Sequence, residues 1–78
     1  MSIEPEKIEH LDLHVGAQLR RIRQSAGLSA GQFAKKADVS AQQLALYEEG
    51  KAHLTPNALW EFSNILDVRV SDFFEGME

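Results

Sequence analysis

AGQFAKKADVSAQQLALYEE, residues 30–49, has the pattern of two short helices joined by a sharp turn. Ser40 can cap the second helix, because its hydroxyl can accept a backbone N–H that the first helical turn leaves unpaired. Asp38 occupies the turn, where a left-handed backbone is expected, and Asp adopts that conformation more readily than most residues. The apolar residues recur at spacings that close two helices onto a shared core: Phe33, Ala37, Val39, Leu44 and Tyr47. We therefore predict helices over residues 30–37 and 41–49.

The rest of the chain predicts three further helices. An apolar stripe of Val15, Leu19, Ile22 and Ala26 indicates a first helix from about residue 12 to residue 25. Thr55 and Pro56 begin the fourth, because Thr caps well and Pro suits the first helical position. A short fifth helix is expected after residues 68–70, with Ser71 as its cap.

Together these patterns predict an all-α fold, a compact domain of five helices. The domain is expected to cover residues 11–76. Residues 1–10 are predicted to be a flexible N-terminal lead, and residues 77–78 a C-terminal end. No internal repeat or second domain is visible, which suits a length of 78 residues.

Composition excludes several classes of protein. The chain has no cysteine, so disulfides and cysteine-based zinc sites are excluded, and we expect a reducing, cytoplasmic setting. No apolar run approaches the ~20 residues that span a bilayer. The N-terminal residues, MSIEPEKIEH, are acidic rather than signal-like, so no membrane partner is expected.

The distribution of charge is more informative than the net charge of −4, which by itself disfavours a nucleic-acid partner. Residues 15–51 carry six basic and three acidic residues, whereas the segments before and after them are acidic. The positive charge therefore lies in the segment that contains the two short helices. It indicates either a nucleic-acid surface or solvated helix faces, and position alone does not decide between them.

Three segments resemble the Cro/repressor-type helix-turn-helix family, also called the Xre family. They are LRRIRQSAGLS at 19–29, VSAQQLALYEEGK at 39–51 and LWEFSNILDVRVSDFF at 59–74. The resemblance extends over residues 15–76. It implies a sequence-specific transcriptional regulator, a repressor whose third helix enters the major groove of double-stranded DNA.

The resemblance also implies which residues touch DNA. Gln42 and Gln43 would reach base edges, and a Gln amide can pair with adenine N6 and N7, although Gln is also a good helix former at an exposed site. The full set of expected base contacts is Ala41, Gln42, Gln43 and Leu46. The expected phosphate contacts are Lys35, Ser40, Lys51 and His53. The family further pairs an Arg with a Glu, here Arg23 and Glu48, in a structural role.

Three positions depart from the family pattern. Ala30 stands where relatives usually carry a phosphate-contacting Gln, Asp38 replaces the turn Gly, and Leu46 stands where relatives often carry a polar or basic residue. Each change weakens the phosphate contacts that dominate affinity for DNA. Ala30 and the acidic balance of the chain favour an alternative function. The alternative is a protein-interaction module of the same fold, such as an antirepressor or an assembly partner.

We expect neither an enzyme nor a cofactor. His10 and His14 are four residues apart, which can place two metal ligands on one helical face, but no third ligand follows at a recognisable spacing. An exposed, uncommitted pair is the favoured interpretation. No metal site and no small-molecule effector are predicted, since the chain has no Gly-rich phosphate loop and no evident effector pocket.

A homodimer joined through the C-terminal part is expected. One domain offers a single recognition helix and little positive charge, so a single half-site should bind weakly. The chain has no room for a separate dimerisation domain, which leaves the large apolar residues near the end as candidates: Phe73, Phe74 and Met77. The alternative is that both Phe side chains fill the core, and at least one of them is expected to do so.

Overall fold

A computed structural model describes the backbone of residues 5–76 and the side chains of residues 12–76. Within this part of the chain there are four α-helices and one short 3-10 helix, and no strand. The α-helices are α1 (Pro5–Ser25), α2 (Ala30–Ala37), α3 (Ala41–Glu48) and α4 (Pro56–Leu66), and the 3-10 helix covers Val70–Phe74. The all-helical class is as predicted.

The first helix is longer than predicted. α1 begins at Pro5 rather than at Asp12, because Pro is suited to the start of a helix, where its missing N–H would have no intrahelical partner. Residues 5–10, which the sequence analysis assigned to a flexible lead, are therefore helical. Residues 1–4 and 77–78 lie outside the described residues.

The predicted fifth α-helix is wrong, because residues 70–74 form a 3-10 helix instead. Five residues are too few to build a regular α-helix, and 3-10 geometry is common in such short pieces. Ser71 does not cap this helix as predicted. The N-cap is Arg69, whose side chain makes no capping hydrogen bond, and Asp72 Oδ2 accepts the backbone N–H of Arg69 at 3.1 Å.

The turn between α2 and α3 has the predicted geometry. Asp38 is left-handed, with φ 59° and ψ 41°, which confirms the expectation for this position. Its backbone N–H donates to the carbonyl of Lys35 at 3.3 Å, and the N–H of Val39 donates to Ala34 at 3.0 Å. Ser40 then starts α3, since its Oγ accepts the N–H of Gln43 at 2.9 Å.

All four of the α-helices described above and the 3-10 helix contribute to one core. The ring of Phe62 in α4 is in edge contact with Phe33 of α2, with centroids 5.1 Å apart, and with Tyr47 of α3 at 5.9 Å. The loop after α3 adds Leu54, which is buried although the sequence analysis did not place it in the core. The buried apolar residues are Val15, Leu19, Phe33, Ala34, Leu44, Leu54, Leu59, Phe62, Leu66 and Phe73.

A close contact between α1 and α3 depends on Gly16. A methyl group on its Cα would overlap the carbonyl oxygen of Tyr47 and lie 2.9 Å from that of Glu48. Any side chain at this position would push α1 away from the end of α3. The sequence analysis did not identify this residue, because its role is visible only once the two helices are placed together.

A buried ion pair joins the same two helices. Arg23 Nε donates to Glu48 Oε2 at 2.6 Å, and Arg23 Nη2 donates to Oε1 at 3.1 Å. Arg23 Nη1 also donates to the carbonyl of Leu28 at 2.8 Å, which ties down the segment between α1 and α2. The two side chains are 8% and 9% exposed. The pair therefore fixes α3 relative to α1 and α2.

Glu48→Ala should lower the free energy of unfolding by about 3–5 kcal/mol, because it leaves the buried guanidinium of Arg23 without its carboxylate. Thermal and denaturant unfolding would measure the loss. The double variant with Arg23→Ala should lose less than the sum of the two single variants. Additive losses would contradict the pairing.

Glu49→Ala is the matched control for this prediction. Glu49 pairs with Lys51 at 3.3 Å, but these side chains are 54% and 69% exposed. An exposed pair contributes about 0–1 kcal/mol, so the same substitution one residue further along should leave the melting temperature almost unchanged. Equal losses at Glu48 and Glu49 would show that burial does not distinguish the two pairs.

Gly16→Ala should destabilise the fold by about 1–3 kcal/mol, because the added methyl group meets the backbone of α3. Gly31→Ala is the control, since nothing lies within 4 Å of a methyl group there and the site is a helical position in α2. That change should stabilise by up to about 1 kcal/mol. Chemical denaturation would measure both, and a Gly16→Ala variant at least as stable as the unmodified chain would refute the close contact.

Candidate nucleic-acid interface

The first turn of α3 presents its side chains outward. Ala41 and Gln42 are exposed, and Gln43 is half-buried. Leu44 points the opposite way and is fully buried. One face of α3 is thus committed to the core, and the face that begins with Ala41 and Gln42 is open at the N-terminal end. In helix-turn-helix proteins the N-terminal end of the motif's second helix, which is α3 in this chain, contacts base edges.

Leu46 is less accessible than the other predicted base contacts. It is half-buried, one turn after Gln42 along α3. Its backbone carbonyl also accepts the N–H of Lys51 at 2.9 Å, which closes the C-terminal end of the helix. Only part of its side chain is open to a partner.

The hydroxyl of Ser40 has a structural role that leaves a second one possible. Its oxygen accepts the backbone N–H of Gln43, which caps α3. A hydroxyl also has one O–H to donate, so the same group can bond an anionic oxygen while it caps the helix. The exposed start of α3 also carries the positive end of the helix dipole.

The predicted cationic contacts are all exposed, but two of them already face carboxylates. Lys35 is exposed in the last turn of α2. Lys51 Nζ lies 3.3 Å from Glu49 Oε1. His53 Nδ1 lies 3.0 Å from Asp12 Oδ1. When Nδ1–H donates to Asp12, only the doubly protonated imidazole can also donate from Nε2, so a contact from His53 to phosphate requires the charged form.

Two further carboxylates near this surface, Glu48 and Asp38, differ in how much negative charge they present to solvent. Glu48 is neutralised by Arg23 and adds little negative potential. Asp38 is exposed in the turn between α2 and α3, where the structure gives its side chain no hydrogen-bond partner among the described residues. The turn that introduces α3 therefore carries one negative charge.

Two side-chain contacts in this region were not predicted from the sequence. Gln32 Oε1 accepts the N–H of Ser29 at 2.8 Å, and Ser29 Oγ accepts the N–H of Gln32 at 3.1 Å. The Ser-x-x-Gln spacing is a recognisable capping-box signal. Asp12 and His53 are 41 residues apart, and no sequence pattern predicts that contact.

The predicted dimer residues lie in different environments. Phe73 is fully buried in the core, so its assignment to an interface is wrong. A buried Phe side chain contributes more to a small core than it could at an exposed edge. Phe74 is half-buried and packs against the same core. Met77 lies outside the described residues.

The side chains that the structure describes form no cluster of metal ligands. Residues 12–76 contain no group of three or more His, Asp or Glu side chains placed to hold an ion. His14 Nε2 instead lies 2.8 Å from the carbonyl oxygen of Glu75, and the side chain of His10 lies outside the described set. None of the helices described is both long and apolar enough to cross a membrane.

Comparison with known proteins gives one family. The model of the HTH_3 family, described as helix-turn-helix, matches residues 19–73. An uncharacterized transcriptional regulator in the ATPase CF(0) region of Rhodospirillum rubrum is 32% identical over 71 residues, which are 91% of this chain and 66% of that protein. An uncharacterized HTH-type transcriptional regulator of Sinorhizobium medicae is 34% identical over 90% of this chain and 50% of that protein. The chain thus spans half to two-thirds of the length of these relatives.

Solved structures show the same fold. An HTH_3 family transcriptional regulator from Vibrio cholerae aligns with a TM-score of 0.81 and 28% identity, over 90% of this chain and 39% of that one. The clp gene regulator ClgR from Corynebacterium glutamicum aligns with a TM-score of 0.79 and 26% identity, over 82% and 83%. The family match includes both short helices, the turn between them and the core that holds them. The chain therefore belongs to the HTH_3 family, the Xre/Cro-type helix-turn-helix proteins of transcription regulation.

Proposed function

We propose that this chain binds double-stranded DNA sequence-specifically and acts as a repressor by occupying an operator, with α3 in the major groove. The observation that carries the proposal is the exposed first turn of α3, on a helix that is capped at Ser40 and fixed by the pair of Arg23 and Glu48. Reading a base edge requires a side chain held in register. The cap at Ser40 and the ion pair supply that rigidity without using the exposed face.

The outward side chains of α3 match the chemistry of base edges in the major groove. Gln42 and Gln43 carry amides that can both donate and accept, as recognition of adenine requires. Ala41 and the exposed part of Leu46 are apolar and suit contact with a thymine methyl group. This set favours a site that contains A·T pairs opposite the start of α3.

Phosphate contacts in the proposed complex come from groups around α3. Lys35, Lys51 and the hydroxyl of Ser40 can donate to phosphate oxygens, as can the backbone N–H groups at the start of α2. His53 joins them when it is protonated. Lys51 must exchange its contact with Glu49 for phosphate, which costs little because that pair is exposed.

One observation favours the alternative of a protein-interaction module with weak DNA binding. Asp38 places an exposed carboxylate in the turn that would face the DNA backbone, in a chain whose net charge is −4. Selection from a random-sequence duplex pool at low salt separates the two functions. Enrichment of one motif supports the regulator, and retention of no DNA at low salt supports the interaction module.

Gln42→Ala should weaken binding to the selected site by about 1–3 kcal/mol and relax the preference at one base position. Lys51→Ala should weaken binding to DNA of every sequence by the same factor. It should also reduce the slope of log affinity against log salt by about one. Fluorescence anisotropy on the selected duplex and a scrambled duplex, over a salt series, would measure both effects.

Glu61→Ala on α4 is a suitable control, because Glu61 is exposed and does not belong to α3 or its flanking turns. Its effect on base preference should be nil. If Gln42→Ala and Gln43→Ala both leave the selected motif unchanged, α3 does not read the sequence.

The proposed binding unit is a homodimer. A single domain offers one recognition helix and an overall negative charge, so it gains little electrostatic attraction to DNA. Linking two half-sites turns the second contact into an intramolecular event and raises the apparent affinity. With Phe73 in the core, the C-terminal candidates for the interface are Phe74 and Met77.

A two-fold dimer should select an inverted repeat, with the centres of the two half-sites about 34 Å apart. Analytical ultracentrifugation with and without the selected duplex should show two chains on each DNA. One chain at saturation, or a selected motif without inverted symmetry, would rule out the dimer.

A further inference from the structure

A cavity of about 170 Å³ lies between α1, residues 52–54 and the 3-10 helix. Buried Val15, Leu54 and Leu59 form part of its wall, and half-buried Phe74 closes another side. His53 also lines it and is exposed, so the cavity opens to solvent there. An apolar cavity of about 150 Å³ is large enough to bind benzene, so the size is that of a small molecule.

The polar groups of this cavity are a carboxylate and an imidazole. Asp12 and His53 both line it, and they are joined through Asp12 Oδ1 and His53 Nδ1 at 3.0 Å. A carboxylate can accept about four hydrogen bonds, so this contact leaves Asp12 able to accept one from an occupant. Its side chain is 12% exposed, which makes a further hydrogen bond stronger than it would be in bulk water.

We propose that this cavity binds a neutral, mainly apolar molecule of about six to eight non-hydrogen atoms that carries one hydroxyl group. The apolar part packs against Leu54, Leu59 and Phe74. The hydroxyl donates to Asp12, and the negative charge of Asp12 excludes carboxylates of the same size. A cavity of about 170 Å³ can enclose a molecule of this size whole, whereas a docked helix could place only a side chain in it, which favours a small molecule.

A ligand at this place acts on the segment that follows α3. Ala52 and His53 line the cavity and come directly after Lys51. An occupant that packs against these two residues, and bonds the carboxylate that His53 also contacts, restricts where they can lie. This regulatory consequence rests on the proposed function in DNA binding, whereas occupancy of the cavity does not.

Benzyl alcohol is the probe, titrated into the full chain without DNA and followed by amide and methyl NMR spectra. Saturable shifts are expected at Val15, Leu54 and Leu59. Toluene, which lacks the hydroxyl, should bind about tenfold more weakly, the factor for losing one hydrogen bond to a charged group. Benzoate should bind more weakly than either. Tighter binding of benzoate would overturn the role of Asp12 as the acceptor.

Ala52→Leu tests the location of the site by filling the cavity from its half-buried edge. This substitution should lower the affinity for benzyl alcohol by at least about tenfold. Ala17→Leu is the matched control, because Ala17 is exposed on α1 and does not line the cavity. Affinity should be unchanged there, and the spectra of both variants report whether the fold is intact.

Three results would overturn the proposal. One is the absence of saturable shifts with benzyl alcohol. Another is equal weakening by Ala52→Leu and Ala17→Leu. The third is a set of nuclear Overhauser contacts that place Met77 of the chain itself against Leu59 and Phe74. Because the titration uses no DNA, its failure is distinct from a failure of DNA binding.

Discussion

The bidentate contact between Arg23 and Glu48 is the interaction on which the geometry of the proposed DNA-binding surface depends. It spans from the last turn of α1 to the last residue of α3, and Arg23 also holds the carbonyl of Leu28 before α2. The guanidinium of Arg23 therefore positions α1, α2 and α3 relative to one another. A buried pair of this kind adds little net stability compared with apolar packing, but it is costly to break, and it is satisfied in one arrangement of the helices. The pair therefore contributes more to the relative orientation of the helices than to the free energy of folding.

The packing around that pair has the same effect. Gly16 lets the backbone of α1 approach the end of α3, and the rings of Phe33, Tyr47 and Phe62 join α2, α3 and α4 at one point. The short helices α2 and α3, with eight residues each, are too short to be stable alone. Their order comes from caps at both starts and from these tertiary contacts. The contacts that hold α3 in place are therefore on its core-facing side. The exposed side chains of its first turn do not belong to the core.

The sequence predicted the features that follow from local patterns. The left-handed Asp38, the caps at Ser40 and Thr55, and the positions of α2, α3 and α4 all follow from turn and cap chemistry within a few residues. The longer α1 and the 3-10 helix were missed, because the ends of a chain carry few neighbouring signals. Phe73 was assigned to an interface because apolarity alone does not tell a core residue from a contact residue. The pairing of Asp12 with His53 and the cavity beside it are long-range features that no spacing along the sequence encodes.

In the proposed complex the first turn of α3 contacts DNA while the Arg23–Glu48 pair holds it in place. An amide NMR titration of the chain with its selected duplex tests this proposal most directly. The largest shifts should fall on residues 40–46 and 51–53, and the exposed face of α4 around Trp60 should change little. Shifts centred on Trp60, with α3 unaffected at saturation, would contradict it.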